Sequence, residues 1–385
     1  MVWVVSPSKL CNLRCTYCYE WNELGNPVRM SSALLRQILV NVRDYHLTLE
    51  HRFGYAFSNI SWLGGEPLIL PVDYLEEIMA LEHEVFGDLL SRGAIYNVVQ
   101  SNLYRLGDEH LEFLLRHHWK VGVSLDVKPG VRRSLTGRDT EQRVIANVQR
   151  LRARGIQPDA IAVLAGHTVD HLNEVYDFFA AQQFTRIRIL PLFSGPPERP
   201  LETILVPNDA MAKALCGLFE HWLLTGSQVA VEPLTSYLGT VARKILGVHG
   251  RLIDRSVDGE SVLVVNTNGE VYQVADAYEP GKAMGNVGTE AFADIIQSEP
   301  TRLGRTRDTE RTAAMCGPCS FAGFCSGAPA FESPREGTDE GRCQIHHRVH
   351  QFIEGYLRNA GIDEAGLRAL LTSLEPVATD ARSAT

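Results

Sequence analysis

The chain has no long apolar run. None of its hydrophobic stretches reaches the ~20 residues that a helix needs to cross a bilayer, which excludes a spanning helix. It also lacks a positive excess. With 37 Lys and Arg against 46 Asp and Glu the formal net charge is −9, and no basic stripe marks a nucleic-acid surface. The opening residues, MVWVVSPSK, are too few and too soon followed by cysteine to form a signal peptide. Internal repeats and long linkers are absent as well. A cytoplasmic protein is expected, and 385 residues at 45% hydrophobic content can bury one large core and a second, smaller one.

Cysteine is present, but unevenly. Eight cysteines in a secreted chain would suggest disulfides, yet seven of them stand in two tight groups, and a chain this long folds without staples. Metal ligation is therefore the expectation. The eighth, Cys216, lies in NDAMAKALCGLFEHWLL and reads as a small buried hydrophobe.

The first group is Cys11, Cys15 and Cys18, spaced CxxxCxxC in CNLRCTYC. Three thiolates can hold three irons of a [4Fe–4S] cube and leave the fourth iron without a protein ligand. A cluster that only carries electrons takes four cysteines, so this spacing points to an iron site open to something else. Zinc sites use CxxC pairs and, when structural, close their fourth position.

To about residue 192, strand-like runs (VWVVSP, ISWLGG, AIYNVVQSN, KVGVSLD, DAIAVLAG, RIRILPL) alternate with amphipathic helical stretches. Six such units imply parallel βαβ architecture, short of the eight in a full barrel. Function in such folds collects at the carboxyl ends of the strands. The cysteine array follows the first strand, and Gly64, Gly65, Glu66 and Pro67 (GGEP) follow the second. Gln100, Ser101 and Asn102 close the third, and Ser124 and Asp126 the fourth. Four unusual segments thus fall on one rim.

Beyond residue 192 a proline-rich stretch precedes helices near 208–225 and 234–247. ESVLVVNTNGEVYQVAD then reads as a β-hairpin turning at Asn268-Gly269. A short helix near TEAFADIIQS leads to the second cysteine group: Cys316, Cys319, Cys325 and Cys343. A structural zinc is the alternative reading of that group.

CxxxCxxC with Tyr17 before its third cysteine, followed one βα unit later by GGEP, resembles the radical S-adenosylmethionine (SAM) superfamily. The resemblance implies a partial (β/α)6 TIM-like barrel whose open iron is chelated by the amino and carboxylate groups of SAM. Reductive cleavage would then give a 5′-deoxyadenosyl radical that abstracts a substrate hydrogen. By the same resemblance the GGEP backbone binds the SAM amino group, and Ser101 and Asn102 match a third-strand polar pair. Ser124 and Asp126 meet the ribose or methionyl part. Arg132 pairs with the SAM carboxylate, with Arg133 and Arg138 as alternatives, and Leu190 packs the adenine. Leu103 departs from the pattern, since relatives often have glycine there.

The second cysteine group resembles the SPASM domain, in which these four positions hold an auxiliary [4Fe–4S] cluster closed by protein. A second auxiliary cluster is not expected, because its cysteine places hold Ser256 or Val257, Val274 and Pro329. The domains expected are a barrel over 1–207, a helical connection over 208–250, a SPASM-like α+β region over 251–376 and a tail over 377–385.

The activity expected is radical modification of a ribosomally made precursor peptide, by a carbon–carbon or related cross-link. Dehydrogenation of a small aminocyclitol alcohol and sulfatase-type protein maturation are the alternatives, the latter disfavoured because such enzymes usually keep both auxiliary clusters. No leader-recognition domain precedes the barrel, so a separate leader-binding protein is a candidate partner. An external reductant of flavodoxin or ferredoxin type is another. No catalytic acid or base is assigned; Asp276 and Glu232 are the candidates. His346 and His347 read as surface residues.

Overall fold

The computed structural model describes residues 1–192, 204–249, 262–273, 281–325 and 339–374. The positions Ser256, Val257, Val274, Asp276 and Pro329 lie outside the described residues, as does the 377–385 tail. Strands in chain order are β1 (Val2–Val5), β2 (Leu13–Cys15), β3 (Ser58–Trp62), β4 (Ile95–Ser101), β5 (Lys120–Ser124), β6 (Arg132–Ser134), β7 (Asp159–Leu164), β8 (Arg186–Pro191), β9 (Ala230–Glu232), β10 (Val262–Val265), β11 (Glu270–Gln273) and β12 (Gly285–Asn286). Contacts divide the chain into two units. One comprises Met1–Leu125, Pro129–Ala160 and Asp258–Arg305; the other comprises Asp126–Lys128, Ile161–Val257 and Thr306–Thr385.

In the first unit the strand order is β12-β11-β10-β1-β3-β4-β5. β1, β3, β4 and β5 pair in parallel, as the alternating pattern predicts. β1 is central, and its side chains alternate: Trp3 and Val5 are fully buried while Val2 and Val4 are half-buried. The hairpin of β10 and β11 supplies the neighbour on its other side, with β10 parallel to β1 over Val2–Val5 and Val262–Val265. The hairpin turn is wider than a two-residue Asn-Gly turn. Gly269 donates its N–H to Asn266 and sits at φ +88°, the left-handed conformation that glycine adopts freely.

Helices cover the sheet by their apolar stripes. The helix Ser32–Phe53 starts where the Ser31 hydroxyl accepts the Leu34 N–H and stops at Gly54 in the left-handed region. It buries Leu35, Ile38, Leu39 and Val42, spaced as one helical face. On it, Asn41 bonds the Val287 carbonyl and the Phe292 N–H, 3.0 and 2.6 Å away, tying the C-terminal residues of this unit to an early helix.

A polar chain runs through the apolar layer between the helix Val72–Phe86 and the sheet. The Trp62 indole donates to Asn97 at 2.7 Å, and the Asn97 amide donates to the fully buried Glu82 at 2.6 Å. Burial pushes the Glu82 carboxyl up to about 8, only partly opposed by the Asn97 bond.

The second unit carries β7, β8 and β9 in that order, with β9 parallel to β8. Neither β9 nor the small antiparallel ribbon of β2 and β6 follows from periodicity, since each is only three residues long. Helices Asn208–Leu224 and Leu234–Leu246 occupy the expected positions. The helix Asp339–Asn359 packs on both.

Candidate functional site

The two glycines of GGEP are required by the segment in front of the first cysteine. A Cβ on Gly64, which sits at φ +114°, would lie 2.3 Å from the Ser6 hydroxyl and 2.6 Å from the Ser8 carbonyl. On Gly65 it would lie 2.2 Å from the Leu10 carbonyl and 2.5 Å from that of Lys9. These are distances no side chain tolerates, so the strand-end turn presses backbone to backbone on Ser6–Leu10. The N–H groups of Gly65 and Glu66 bond the carbonyls of Ser8 and Leu10, at 3.0 and 2.8 Å. What this segment can offer a ligand is therefore its carbonyls, which suit an ammonium group.

Glu66 organises the neighbouring strand end. Its carboxylate is 2% exposed and accepts the Ser101 hydroxyl at 2.8 Å, the Asn102 N–H at 2.6 Å and the Leu68 N–H at 3.0 Å. Burial raises its pKa, against the pull of these three bonds and of the nearby Arg132 charge. The Asn102 amide in turn donates to Asn12 at 2.8 Å and lies 3.8 Å from the Cys11 sulfur. GGEP, the third-strand pair and the cysteine array are thus one hydrogen-bonded assembly. Leu103, fully buried, adopts φ +50°, and this explains physically why glycine suits the position.

The three cysteines stand together. Each of Cys11 and Cys18 feels the charge of Cys15, and burial pushes both thiols up to about 12. Thiols this buried become thiolates only when a strong positive centre faces them, which is what an iron cluster supplies. Backbone N–H groups already point at the sulfurs: Leu13 to Cys11 at 3.4 Å, and Glu20 to Cys18. Three cysteine sulfurs at one place are the donor chemistry of a [4Fe–4S] cube that leaves one iron open.

The ribbon of β2 and β6 sets Cys15 opposite Arg132. The Arg132 guanidinium donates to the Tyr17 hydroxyl at 2.5 Å and acts on both Cys11 and Glu66. Arg133 faces away, exposed beside Gly130, and Arg138 is exposed on the following turn. Of the three arginines, Arg132 is the one beside the cysteines. Ser124 is half-buried at the end of β5 and accepts the Gln100 amide at 2.7 Å.

The remaining candidates belong to the second unit. Asp126 is 1% exposed and accepts the Val163 N–H at 2.7 Å, while Leu190, next to last in β8, is half-buried. The Glu232 carboxylate accepts the hydroxyls of Thr235 and Ser236 in the first turn of the helix Leu234–Leu246. At the second cysteine group Cys319 donates its N–H to the Cys316 carbonyl, and the Phe321 N–H points at the Cys319 sulfur at 3.4 Å. Phe321 is 1% exposed and packs on His347 and His350 of the helix that bears Cys343, with the Lys244 ammonium 4.1 Å from its ring centre. Tyr237 feels the charge of Cys325 and bonds His346, one turn beyond Cys343. His346 and His347 are thus half-buried packing partners, not the surface residues expected. Lys9, Glu20 and Asn12 carry parts of the first site that motif reading overlooked.

Residues 5–179 match the model of the Radical SAM superfamily. The chain is 23% identical to the serine-type anaerobic sulfatase-maturating enzyme of Bacteroides thetaiotaomicron over 90% of its length and 88% of that protein's. It is also 23% identical to the cysteine-type enzyme of Clostridium perfringens, over 89% and 92%. Its fold is shared with anSMEcpe bound to AdoMet and the Cp18Cys peptide, at TM-score 0.73, 20% identity and coverage of 93% and 98%. It is shared less closely with Streptococcus suis SuiB bound to precursor peptide SuiA, at TM-score 0.60, 14% identity and coverage of 85% and 71%. The parallel α/β class expected from the sequence is the fold of these structures.

Proposed function

The chain is a radical SAM enzyme with its domain over residues 5–179, and on that premise we propose that it oxidises a side chain of a protein or peptide substrate in the manner of the anaerobic sulfatase-maturating enzymes. The observation that carries this is full-length similarity. Relatives of that name align over 88–92% of their own length. They displace the cross-linking reaction from the leading place it takes on sequence alone.

When bound, SAM and the two clusters supply a hydrogen-abstracting radical and an acceptor for the second electron. The chain's residues do the holding and orienting. Cys11, Cys15 and Cys18 take the open cluster, with Tyr17 and Arg132 beside it. Arg132 would offer its guanidinium to the SAM carboxylate, and the carbonyls of Gly64–Glu66 would suit the SAM ammonium. Ser101 and Asn102 act through Glu66 to fix both segments. The family resemblance would give Ser124 and Asp126 the ribose or methionyl part and Leu190 the adenine. Cys316, Cys319, Cys325 and Cys343 close the auxiliary cluster, so it has no vacancy for substrate.

Loss of a Cβ hydrogen, a second electron and a proton turns a serine side chain into an aldehyde; a cysteine gives the thioaldehyde, which water hydrolyses to the same aldehyde. Peptide cross-linking is the second reading, favoured by Ser256, Val257, Val274 and Pro329 where a second auxiliary cluster would need cysteine. The test is mass spectrometry of peptides copied from a sulfatase maturation site, in cysteine and serine forms, after incubation with SAM and a flavodoxin-type reductant. A carbonyl trapped by a hydrazide supports maturation. SAM cleavage that leaves these peptides unchanged, with a loss of two hydrogens and no trappable carbonyl in a peptide encoded nearby, replaces it with cross-linking.

A further inference from the structure

We propose that the buried ion pair of Lys9 and Glu20 sets the reduction potential of the cluster held by Cys11, Cys15 and Cys18 and keeps its loop closed, an inference that rests on the cluster assignment above. Lys9 lies two residues before the first cysteine and Glu20 two after the last. Their side chains meet at 2.5 Å with 6% and 2% exposure. The pair therefore ties both ends of the ligand loop at one point inside the protein. A buried ion pair is a weak source of stability, because removing both charges from water offsets their attraction. Its distinguishing property is its position.

Two features connect it to the sulfurs. The N–H of Glu20 itself bonds the Cys18 sulfur, so the residue that grips Lys9 also touches the last cysteine of the array. The Lys9 carbonyl lies beneath Gly65, so the other end of the loop is pinned by the close approach at GGEP. The charges also reach the cluster separately. The ammonium attracts the Cys18 thiolate and the carboxylate repels it, and the second Glu20 oxygen, Oε2, is buried with no hydrogen bond among the described residues. Reduction adds a negative charge to the cluster. A nearby cation favours that step and a nearby anion opposes it, and hydrogen bonds to sulfur favour it too.

The two single variants must therefore act in opposite directions. In anaerobically reconstituted enzyme, Lys9→Met should move the midpoint potential of the SAM-responsive cluster more negative, and Glu20→Gln should move it more positive. Both are read by electron paramagnetic resonance during redox titration, with iron per chain measured in parallel. Shifts of the same sign, or no shift with full iron content, overturn the proposal. If a single variant loses its iron, Lys9→Arg decides: it must restore wild-type iron content and potential, and failure to do so makes the pair a packing element only. The reading beneath is tested separately by the wild type, whose iron must fall when Cys11, Cys15 and Cys18 are replaced by alanine.

Discussion

Replacing Glu82 by glutamine should flatten the fall in stability between pH 5 and pH 8. The wild-type carboxyl titrates at about 8 in the folded chain against 4.5 when solvated, because no charge and only one hydrogen bond, from Asn97, compensate its burial. Below 4.5 both states hold the proton. Above it the unfolded chain releases its proton while the folded chain keeps it, so the folded state binds more protons and stability declines as pH rises. The slope is about 1.4 kcal/mol per pH unit, or about 4 kcal/mol from pH 5 to pH 8. Glutamine keeps the acceptor for Asn97 and has no proton to release. Its amide nitrogen takes the place of an oxygen, Oε1, that has no hydrogen-bond partner among the described residues, which adds a pH-independent penalty of about 1–3 kcal/mol. Urea midpoints of the reconstituted wild type and E82Q, measured every half unit over this range, should converge and then cross as pH rises, because the loss of about 4 kcal/mol exceeds the penalty. Parallel curves would refute the burial argument.

Gly65→Ala should lose the iron of the first cluster, since its Cβ would sit 2.2 Å from the Leu10 carbonyl and must push the loop leading to Cys11 by more than an ångström; iron analysis of the variant reads this directly. Gly217→Ala, in an open helical position with nothing within 4 Å, should instead raise stability by about 0.5–1 kcal/mol and leave iron unchanged. Arg132→Met should weaken SAM binding in calorimetry at least tenfold, about 1.4 kcal/mol, while Arg133→Met and Arg138→Met leave it near wild type. Leu103→Gly removes about 1–2 kcal/mol of left-handed strain but also a fully buried leucine that contributes about 2–5 kcal/mol, so denaturation should show a net loss.

Much of the site was legible because its chemistry is concentrated in side chains that do little else. Three cysteines at fixed spacing and two adjacent glycines are visible without a structure. The strands β1, β3, β4, β5, β7 and β8 were legible because β-branched and aromatic residues recur between amphipathic helices. The β2–β6 ribbon escaped because three-residue strands have no period, and with it escaped the register that separates Arg132 from Arg133. Lys9 and Glu20 escaped because pairing across a loop of cysteines leaves no pattern; each looks like an ordinary charged residue. Glu232 was visible as an acid, but its engagement by the hydroxyls of Thr235 and Ser236 appears only when those side chains are seen to fold back onto it.

The parallel pairing of β1 with β10 has a consequence for the order of events at the ribosome. The strand leading into the cluster loop emerges first, yet one of its two edges stays unpaired until Val262–Val265 have been made. The Ser6 amide, the last before the loop turns toward the cysteines, bonds the Val265 carbonyl at 3.0 Å. At roughly 5–20 residues per second, that wait lasts tens of seconds. Throughout it the nascent chain carries an open apolar edge beside three oxygen-sensitive thiols, a state prone to mispairing. The strand that leads to the cysteines thus completes its pairing only once the hairpin is made, and any truncation before residue 265 removes the parallel partner on that edge of β1.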